Sequence, residues 1–301
     1  MRSFPIAWKL LRIVFPLVAS LALTPGQMRA QILHADGPLP SFDVSSIKRS
    51  NGTEALPSIA TPIQVRTVHV TARNLIEQAF NIPWTPDSNE LVIGGSGWVD
   101  NDYFNLDARM DESLAPAFEK MSHEEQKRQR SLMLQSLLAV RFKLKVRFET
   151  RELPVYALSI AKSGPRPALA QHTSPLPTDE TRSVSFPTTA QGLSRGIFVQ
   201  YRGQSAEMTA KAATLDEVAH WLAGYSEIGG RPVVNQTALT GSYDFTLRWT
   251  RERLAAQTEA SDSDAPALFT ALQEQLGLRL LATKAPVEVI VIDHIEPPSH
   301  N

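Results

Sequence analysis

The stretch that decides the fold runs from Arg231 to Trp249, RPVVNQTALTGSYDFTLRW. A short apolar run opens it, a polar turn with a glycine follows, and a segment of strict alternation closes it. One face of the alternating segment carries Tyr243, Phe245, Leu247 and Trp249. Alternation with a period of two residues is typical of a strand that buries one face. We therefore expect two strands joined by a glycine turn, with the aromatic side chains forming a core wall and not a ligand platform.

A weaker form of this pattern occurs earlier, from Leu91 to Ala108, LVIGGSGWVDNDYFNLDA. The two stretches align so that Asn105 matches Asp244 on the polar face of each alternating segment. The flanking segments recur as well, so each half of the chain is predicted to contain strand, helix, strand, strand, helix, strand and strand. The prediction is an α+β protein built by duplication of one module, with small mixed or antiparallel sheets packed on two helices. Two unrelated α+β domains with common patterning are the alternative.

The predicted modules cover residues 41–162 and 196–297. Residues 163–195 are predicted to be a linker or long loop, because proline, serine and threonine are frequent there. Each module is predicted to end in two strands with a proline between them, Pro154 in the first and Pro286 in the second. The spacing of a capping box predicts two helix starts, one at Ser122 with Glu125 and one at Thr214 with Glu217.

The composition is that of an ordinary globular protein without a global charge. The 301 residues are enough for about two domains, and 43% of them are hydrophobic. A formal net charge of −1 gives no reason to expect nucleic acid or an anionic membrane surface as a partner. Because the chain has no cysteine, disulfides, thiolate metal ligands and a cysteine nucleophile are excluded.

Residues 1–30 have the order of a secretory signal. Positive charges at Arg2 and Arg12 accompany the apolar run from Ile13 to Leu23, and Ala30 is a suitable residue before a cut. The apolar run is shorter than the roughly 20 residues that span a bilayer. We therefore expect an exported protein, periplasmic or extracellular, whose signal is removed. An uncleaved N-terminal anchor is the alternative, and it is the one membrane attachment that the sequence suggests.

Histidine and serine patterns do not predict a catalytic site. His123 has no partner histidine at the spacing of an H-E-x-x-H zinc motif. His220 is interpreted as a surface or boundary residue, and His294 as a polar residue at a strand end. Ser96 lies in Gly94-Gly95-Ser96-Gly97, which lacks the final glycine of G-x-S-x-G. The glycines are therefore interpreted as turn residues that adopt a positive φ.

Carboxylates also occur in suggestive positions. Asp100, Asp102 and Asp107 resemble part of a calcium loop, but the glycine at its sixth position and the glutamate at its twelfth are missing. We interpret them as a polar turn that enters a strand, and residues 261–264, SDSD, as a solvated loop. Asp107 and Asp244 lie on polar strand faces that normally meet solvent, so neither is a strong general-base candidate.

Lys143, Lys145 and Arg147 form a basic strand face. No aromatic residue is interleaved on that face, as binding of single-stranded nucleic acid would favour. A solvated face, or an edge that lysine protects against aggregation, is the preferred interpretation. The sequence thus predicts no catalytic residue, no cofactor-binding residue and no metal ligand.

Five segments taken in order resemble a known bacterial family. They are FDVSSIKRS (42–50), IGGSGWVDNDYFNLDA (93–108), MLQSLLAVRFKLKVRFETRELPVYALSIAK (133–162), GRPVVNQTALTGSYDFTLRW (230–249) and ALFTALQEQLGLRLLATKAPVEVIVIDHIEPPS (267–299). Together they resemble the soil-associated protein family, domain of unknown function 3738, over about Ser41 to Ser299. The resemblance implies export and no assigned activity. Relatives of the domain are attached to membrane-embedded sensor metallopeptidases, which implies an extracytoplasmic sensing or binding role. Asn105 departs from the aspartate usual in the first copy, which argues against a chemical role for that carboxylate.

A looser resemblance links the chain to the short N-terminal domain of secretins and TonB-dependent receptors. The element order and the pattern of apolar strand, glycine turn and alternating strand are similar. A similarity of fold does not transfer function.

The leading hypothesis is a non-enzymatic binding or interaction module of the cell envelope. Its partner would be an envelope protein or an extracellular ligand, and strand addition at an open sheet edge is one available mode. The alternative is a hydrolase or other enzyme with a site in the cleft between the two modules. A membrane-tethered sensor with an uncleaved N-terminus is a third hypothesis. The sequence does not identify the ligand, the oligomeric state or the packing of the modules.

Overall fold

Twelve strands and six α-helices make up the described part of the chain. The computed structural model describes residues 32–52, 56–60, 63–83, 90–121, 123–174, 195–251 and 266–298. The first half contains β1 (Val44–Arg49), β2 (Leu56–Ala60), β3 (Gln64–Thr71), α1 (Ala72–Ala79), β4 (Val92–Ile93), α2 (Trp98–Asn101), β5 (Tyr103–Arg109), α3 (Ala115–Glu119), α4 (His123–Arg141) and β6 (Lys145–Ile160). The second half contains β7 (Ala170–Gln171), β8 (Gly196–Arg202), β9 (Ser205–Thr214), α5 (Leu215–Ala223), β10 (Val233–Asn235), β11 (Ser242–Thr250), α6 (Leu268–Ala271) with a π-helical continuation (Leu272–Leu276), and β12 (Leu278–His294). The combination of helices with small separate sheets confirms the predicted α+β fold.

The strands form three four-stranded sheets. The N-sheet has the order β1-β5-β3-β2, and the C-sheet has the order β7-β11-β9-β8. Every pairing within these two sheets is antiparallel. The central sheet has the order β10-β6-β12-β4, with an antiparallel inner pair and a parallel strand on each side. Adding six to each strand number of the N-sheet gives the order of the C-sheet, so the two halves have the same topology.

The stretch from Arg231 to Trp249 supplies one strand to each of two sheets. Its apolar run is β10, which pairs with β6 in the central sheet. Its alternating segment is β11, which lies between β7 and β9 in the C-sheet. All four apolar residues of β11 are buried, with Leu247 and Trp249 completely so. The aromatic side chains therefore form a core wall, as predicted.

Each of the two large hydrophobic cores contains residues from both halves of the chain. The first core is built around Ile76, Phe104 and Leu138, and it also includes Val287 and Ile290 of β12. The second core is built around Leu215, Leu247 and Trp249, and it also includes Leu158 of β6. The central sheet is thus a shared wall. Neither half has a complete core without a long strand of the other half.

The last strand of each half is longer than the sequence predicts. Strand β6 has 16 residues and β12 has 17, and each runs through the proline that was expected to divide it. Antiparallel register places Pro154 beside Lys284 and Pro286 beside Glu152. The two predicted strands in each half are therefore one strand.

The orientation of the two prolines explains why the strands continue. The amide of Tyr156 in β6 donates outward to the carbonyl of Pro232, just before β10, and the amide of Ile290 in β12 donates outward to the carbonyl of Leu91, just before β4. On a strand, residues two or four positions apart point their backbone nitrogens to the same side, so the residue two before Tyr156 and the residue four before Ile290 also point outward. Pro154 and Pro286 occupy those positions, before β10 and β4 begin to pair. Proline lacks an amide hydrogen, and at these positions no neighbouring strand needs one.

The shared sheet bears on the predicted division into modules. Strand β4 pairs with β12 and β10 pairs with β6, so strands from residues 41–162 and 196–297 alternate across one sheet. Strand β7 lies inside the segment 163–195 that was predicted to be a linker or loop. Residues 175–194 of that segment and the predicted signal, residues 1–30, lie outside the described residues.

Helices α1 and α5 both begin with a capping box. Thr214 and Glu217 form the predicted capping box, in which each side chain bonds the backbone amide of the other residue. Thr71 and Asn74 form an equivalent box at α1, which the sequence analysis did not predict. The other predicted box falls on Ser122, outside the described residues. None of the helices in the described ranges combines the length and apolar composition needed to cross a membrane.

Gly277 ends the π-helical turn before β12 with φ of 67°, and the structure predicts a large cost for replacing it. A Cβ there would fall against the carbonyl oxygen of Gly164 and 2.9 Å from the backbone nitrogen of Arg166. Gly203 has a similar φ of 59° with no atom within 4 Å of the added carbon. We expect Gly277→Ala to lower the free energy of unfolding by about 3 kcal/mol or more, and Gly203→Ala by about 1 kcal/mol. Urea denaturation measures both, and equal costs would show that backbone conformation alone explains the glycine.

Candidate functional site

The open face of the N-sheet carries more positive than negative side chains. Alternate residues of its strands, such as Ile47, Phe104 and Leu106, are buried in the first core. The remaining alternate residues of β1, β5 and β3 therefore point away from the core. This open face carries Ser46 and Lys48 from β1, Asn105, Asp107 and Arg109 from β5, and Gln64 and Arg66 from β3.

A groove of about 480 Å³ lies on this face. Its lining includes Lys48, Arg66 and Arg109 as cations and Asp107 as the one carboxylate. The volume lies within the range of about 300–1,000 Å³ that is usual for small-molecule sites. The lining therefore has an excess of two positive charges in a concavity large enough for a ligand.

Two of the three cations are not neutralised. Gln64 Nε2 donates to Asp107 Oδ1 at 2.7 Å, and Arg109 Nε lies 3.7 Å from the same oxygen. Lys48 and Arg66 have no ion pair and no side-chain hydrogen bond with any residue that the structure describes. Asp107 is therefore engaged by Gln64 and Arg109. Arg66 lies across from Asp107 in the strand register but forms no ion pair with it, so the side chains of Lys48 and Arg66 stay unpaired within the described part of the chain.

The corresponding face of the C-sheet has a different arrangement of charges, in which Lys211 and Arg202 are exposed cations and Glu207 and Asp244 are the carboxylates. Strand register makes Thr209 the counterpart of Arg66 and Ala170 the counterpart of Lys48. The counterpart of Arg109 is Arg248, whose Nε lies 2.5 Å from Glu207 Oε2. The hydrogen bond from Arg248 is the main reason that the pKa of Glu207 is lowered. The same scaffold thus carries cations at the positions of Lys48 and Arg66 in one half and uncharged residues at those two positions in the other.

A β-bulge occurs at the same place in both sheets. The register shifts between Thr67 and Val70 in the N-sheet and at the matching step in the C-sheet. The bulged residues, His69 and Ala212, have φ of 56° and 45°. A residue other than glycine rarely adopts such a backbone conformation without support.

The support comes from the neighbouring strand in each sheet. The amide of His69 donates to Asn105 Oδ1 at 2.9 Å, and the amide of Ala212 donates to Asp244 Oδ1 at 2.7 Å. Asn105 and Asp244 therefore perform the same structural task. The task needs an acceptor oxygen and no acid, so asparagine performs it without adding a negative charge to the groove.

Asp244 has a second partner, His172 of the C-sheet edge. The two side chains are joined by a contact of 2.9 Å between His172 Nδ1 and Asp244 Oδ2. Burial alone would raise the pKa of Asp244, but the hydrogen bonds from the Ala212 amide and from His172 outweigh it, and the net effect is a lowered pKa. Asp244 is thus an acceptor with a structural role in the bulge, and its pKa is lowered.

The carboxylates of the calcium-like stretch each have a different arginine as partner. Asp100 forms an ion pair with Arg73, and Asp102 forms one with Arg49. Asp107 lies in the groove with its own partners. No cluster of three or more metal-ligating side chains occurs within the described ranges.

The glycine-rich turn at Gly94 and Gly95 has the predicted conformation. Their φ values are 86° and 91°. A Cβ on Gly94 would lie 3.2 Å from the carbonyl oxygen of Ile292 in β12. The glycines let the turn pass close to β12, and Ser96 is exposed at the turn, where its carbonyl accepts from the amide of Val99.

The predicted basic face at Lys143, Lys145 and Arg147 is partly neutralised. Arg147 contacts Glu149 at 2.7 Å and also pairs with Asp293 of β12. Hydrogen bonds from Arg151 and then from Arg147 lower the pKa of Glu149. Lys143, two residues after the end of α4, has φ of 52°. This face is an exposed ion-pair network and has less free charge than the sequence suggests.

The histidines singled out in the sequence do not converge. His294, the last residue of β12, contacts Glu296 at 2.9 Å. His220 lies on α5, and burial lowers its pKa to about 4, with the charge of Lys127 acting in the same direction. The side chain of His123 lies outside the described residues. Lys48 and Arg66, which the sequence analysis missed, come together only through the register of β1 and β3 on β5.

Comparison with known proteins identifies the family only. A family model described as Protein of unknown function (DUF3738) matches residues 73–295. That range begins in α1 and ends just after β12, so it covers most of both halves. No curated protein and no solved structure matches the chain.

The role of Asn105 leads to a prediction about stability. Asn105→Ala removes the acceptor of the His69 amide, so we expect the free energy of unfolding to fall by about 1–2 kcal/mol. Asn105→Asp keeps an acceptor oxygen at the same place and is expected to be close to the wild type. Urea denaturation of the two variants checks this, and an Asp variant as unstable as the Ala variant would contradict the assignment.

His220 leads to a prediction about pH. A folded-state pKa of about 4, below the usual value of 6.5, means that the unfolded chain takes up the proton first as the pH falls. This contribution to stability is complete above pH 6.5 and is lost as the pH falls from 6.5 towards 4. We expect the wild type to lose roughly 1 kcal/mol more than His220→Gln between pH 7 and pH 5. Urea titrations at both pH values test it, and an equal loss in both proteins would refute the burial effect.

Proposed function

The chain belongs to the DUF3738 family of proteins of unknown function, and we propose that it is an exported, non-enzymatic binding module of the cell envelope. The binding surface in this proposal is the groove on the open face of the N-sheet. The observation that carries it is the pair of unneutralised cations, Lys48 and Arg66, in a groove of about 480 Å³. The signal-like order of residues 1–30 supports export.

The internal comparison supports binding at the N-sheet in particular. Equal strand order, equal register and the bulge at one position suggest that the halves arose by duplication of one module. Structural roles are retained in both, as at Asn105 and Asp244. The charge of the groove differs, because Thr209 and Ala170 replace Arg66 and Lys48. A change of charge on the polar face of a common scaffold is what specialisation of one copy for a ligand would produce.

The surroundings of the acidic groups support binding over catalysis. Asp100, Asp102 and Asp107 are each engaged by an arginine. Asp244 accepts from a backbone amide and from a histidine. An enzyme site between the modules would need a cleft there, whereas hydrogen-bonded strands of the central sheet occupy that junction.

Capture from an envelope fraction tests this proposal. The tagged mature chain is compared with the double variant Lys48→Gln/Arg66→Gln, and bound protein and glycan are both detected. The matched control is Arg202→Gln/Lys211→Gln, which removes the same charge from exposed positions of the C-sheet. We expect the wild type and the control to capture the same ligand and the groove variant to lose most of it. Identical capture by all three proteins, or no capture under any growth condition, would refute the proposal.

A further inference from the structure

We infer that the groove of the N-sheet binds an acidic polysaccharide, a chain of sugar rings that carry carboxylates. This inference rests on the proposed binding function and names the class of its ligand. Three features of the groove lead to it. They are the sign of the free charge, the spacing of the cations and an exposed aromatic ring at one end.

The free charge selects an anion. Lys48 and Arg66 are exposed and without described partners, while Asp107 is already occupied by Gln64 and Arg109. Asn105 lies directly across from Lys48 in the register of β1 and β5. In the C-sheet that position is Asp244, so an aspartate is compatible with the fold there. Asparagine keeps the bulge supported and leaves the charge of Lys48 free for a ligand.

The spacing of the cations is compatible with an extended ligand. Lys48, Arg66 and Arg109 lie on three adjacent strands and at three different levels along them. Strands are about 4.8 Å apart, and two residues along a strand advance about 7 Å, so the Cα atoms are separated by roughly 8–14 Å. Lysine and arginine side chains are long enough for neighbouring cations to share one small anion across such distances, so a small anion can also bind here. A chain with a charge on successive units can meet more than one of these cations.

An aromatic ring extends the face towards one end. Tyr103 lies two residues before Asn105 on β5, so its side chain is on the same side of the sheet. Its ring stacks on that of His69 with centroids 3.9 Å apart, and Tyr103 is still 39% exposed. An exposed, fixed aromatic ring offers apolar contact to a sugar ring at a low cost in side-chain entropy. Ser46 and the Asn105 amide offer hydrogen bonds to sugar hydroxyls.

Other polyanions fit these features less well. Specific binding of duplex nucleic acid commonly uses 6–10 phosphate contacts, and the groove has only three cations, one of which is partly paired. An extended peptide gains most from main-chain hydrogen bonds at a sheet edge, whereas the groove lies on a face. Duplex nucleic acid and an acidic peptide therefore serve as competing probes.

Calorimetric titration of the mature chain with defined probes tests the inference. The probes are an oligogalacturonate, the same oligosaccharide as its methyl ester, polyglutamate and a short duplex oligonucleotide. We expect the oligogalacturonate to bind and its neutral methyl ester to bind at least about tenfold more weakly, since two or three exposed charge contacts are lost. Polyglutamate and the oligonucleotide are expected to bind more weakly than the oligogalacturonate.

Variants separate the three features. Lys48→Gln/Arg66→Gln is expected to weaken binding about tenfold, while Arg202→Gln/Lys211→Gln on the C-sheet leaves it unchanged. Asn105→Asp keeps the bulge acceptor and is expected to weaken binding by placing a carboxylate beside Lys48. Tyr103→Ala is expected to weaken binding, and Tyr103→Phe, which keeps the ring, is expected to retain it. Thermal melts verify that each variant is folded.

The outcomes distinguish the ligand class from the function. If polyglutamate or the oligonucleotide binds more tightly than the oligogalacturonate, and loses affinity in Lys48→Gln/Arg66→Gln, the groove binds anions but the polysaccharide is the wrong class. If the methyl ester binds as well as the acid, the inference also fails, because charge is not recognised. If no probe binds and envelope capture is unaffected by the groove variant, the proposed function fails as well.

Discussion

The antiparallel pairing of β6 with β12 is the contact on which both hydrophobic cores depend. Residues from Lys145 to Ile160 pair with residues from Leu278 to His294 along almost their whole length. Val287 and Val289 of β12 are fully buried in the first core, and Leu158 of β6 is fully buried in the second. Apolar burial contributes roughly 25 cal/mol per Å², so loss of this pairing would expose a large part of both cores to water. Two halves with the same topology are therefore coupled energetically into one unit.

The sequence predicts the elements well where alternation is strong and adjacent residues decide the outcome. Strand β11, its buried aromatic face and the Thr214–Glu217 capping box all have the predicted form. Strand β9 was missed although Ala206, Met208 and Ala210 alternate with polar residues, because alanine has a low β propensity. Continuity through Pro154 could not be predicted, since it depends on which side of the sheet lacks a neighbouring strand.

Little of the candidate site could be predicted, for a related reason. Lys48 and Arg66 are separated in the sequence and belong to different strands, and only their common neighbour β5 brings them to one face. Lys143, Lys145 and Arg147 look more basic in the sequence, yet Glu149 and Asp293 compensate Arg147. The net charge of one sheet face depends on which strands are neighbours and on their register, and a single sequence does not determine either. Alternation within a strand shows which of its residues point to the same face, but it does not show which residues of other strands lie on that face.

The shared central sheet also has a consequence for the order in which the protein can fold during synthesis. The core of the first half requires Val287 to Ile292, which are made after every other strand of the second half. The first half therefore emerges from the ribosome with an unfinished core and an exposed flank on β6. Pairing between segments so distant in the chain is slow to form, and an incomplete domain exposes apolar surface to other chains in the meantime. The topology thus postpones completion of both large cores to one late event, the arrival of β12.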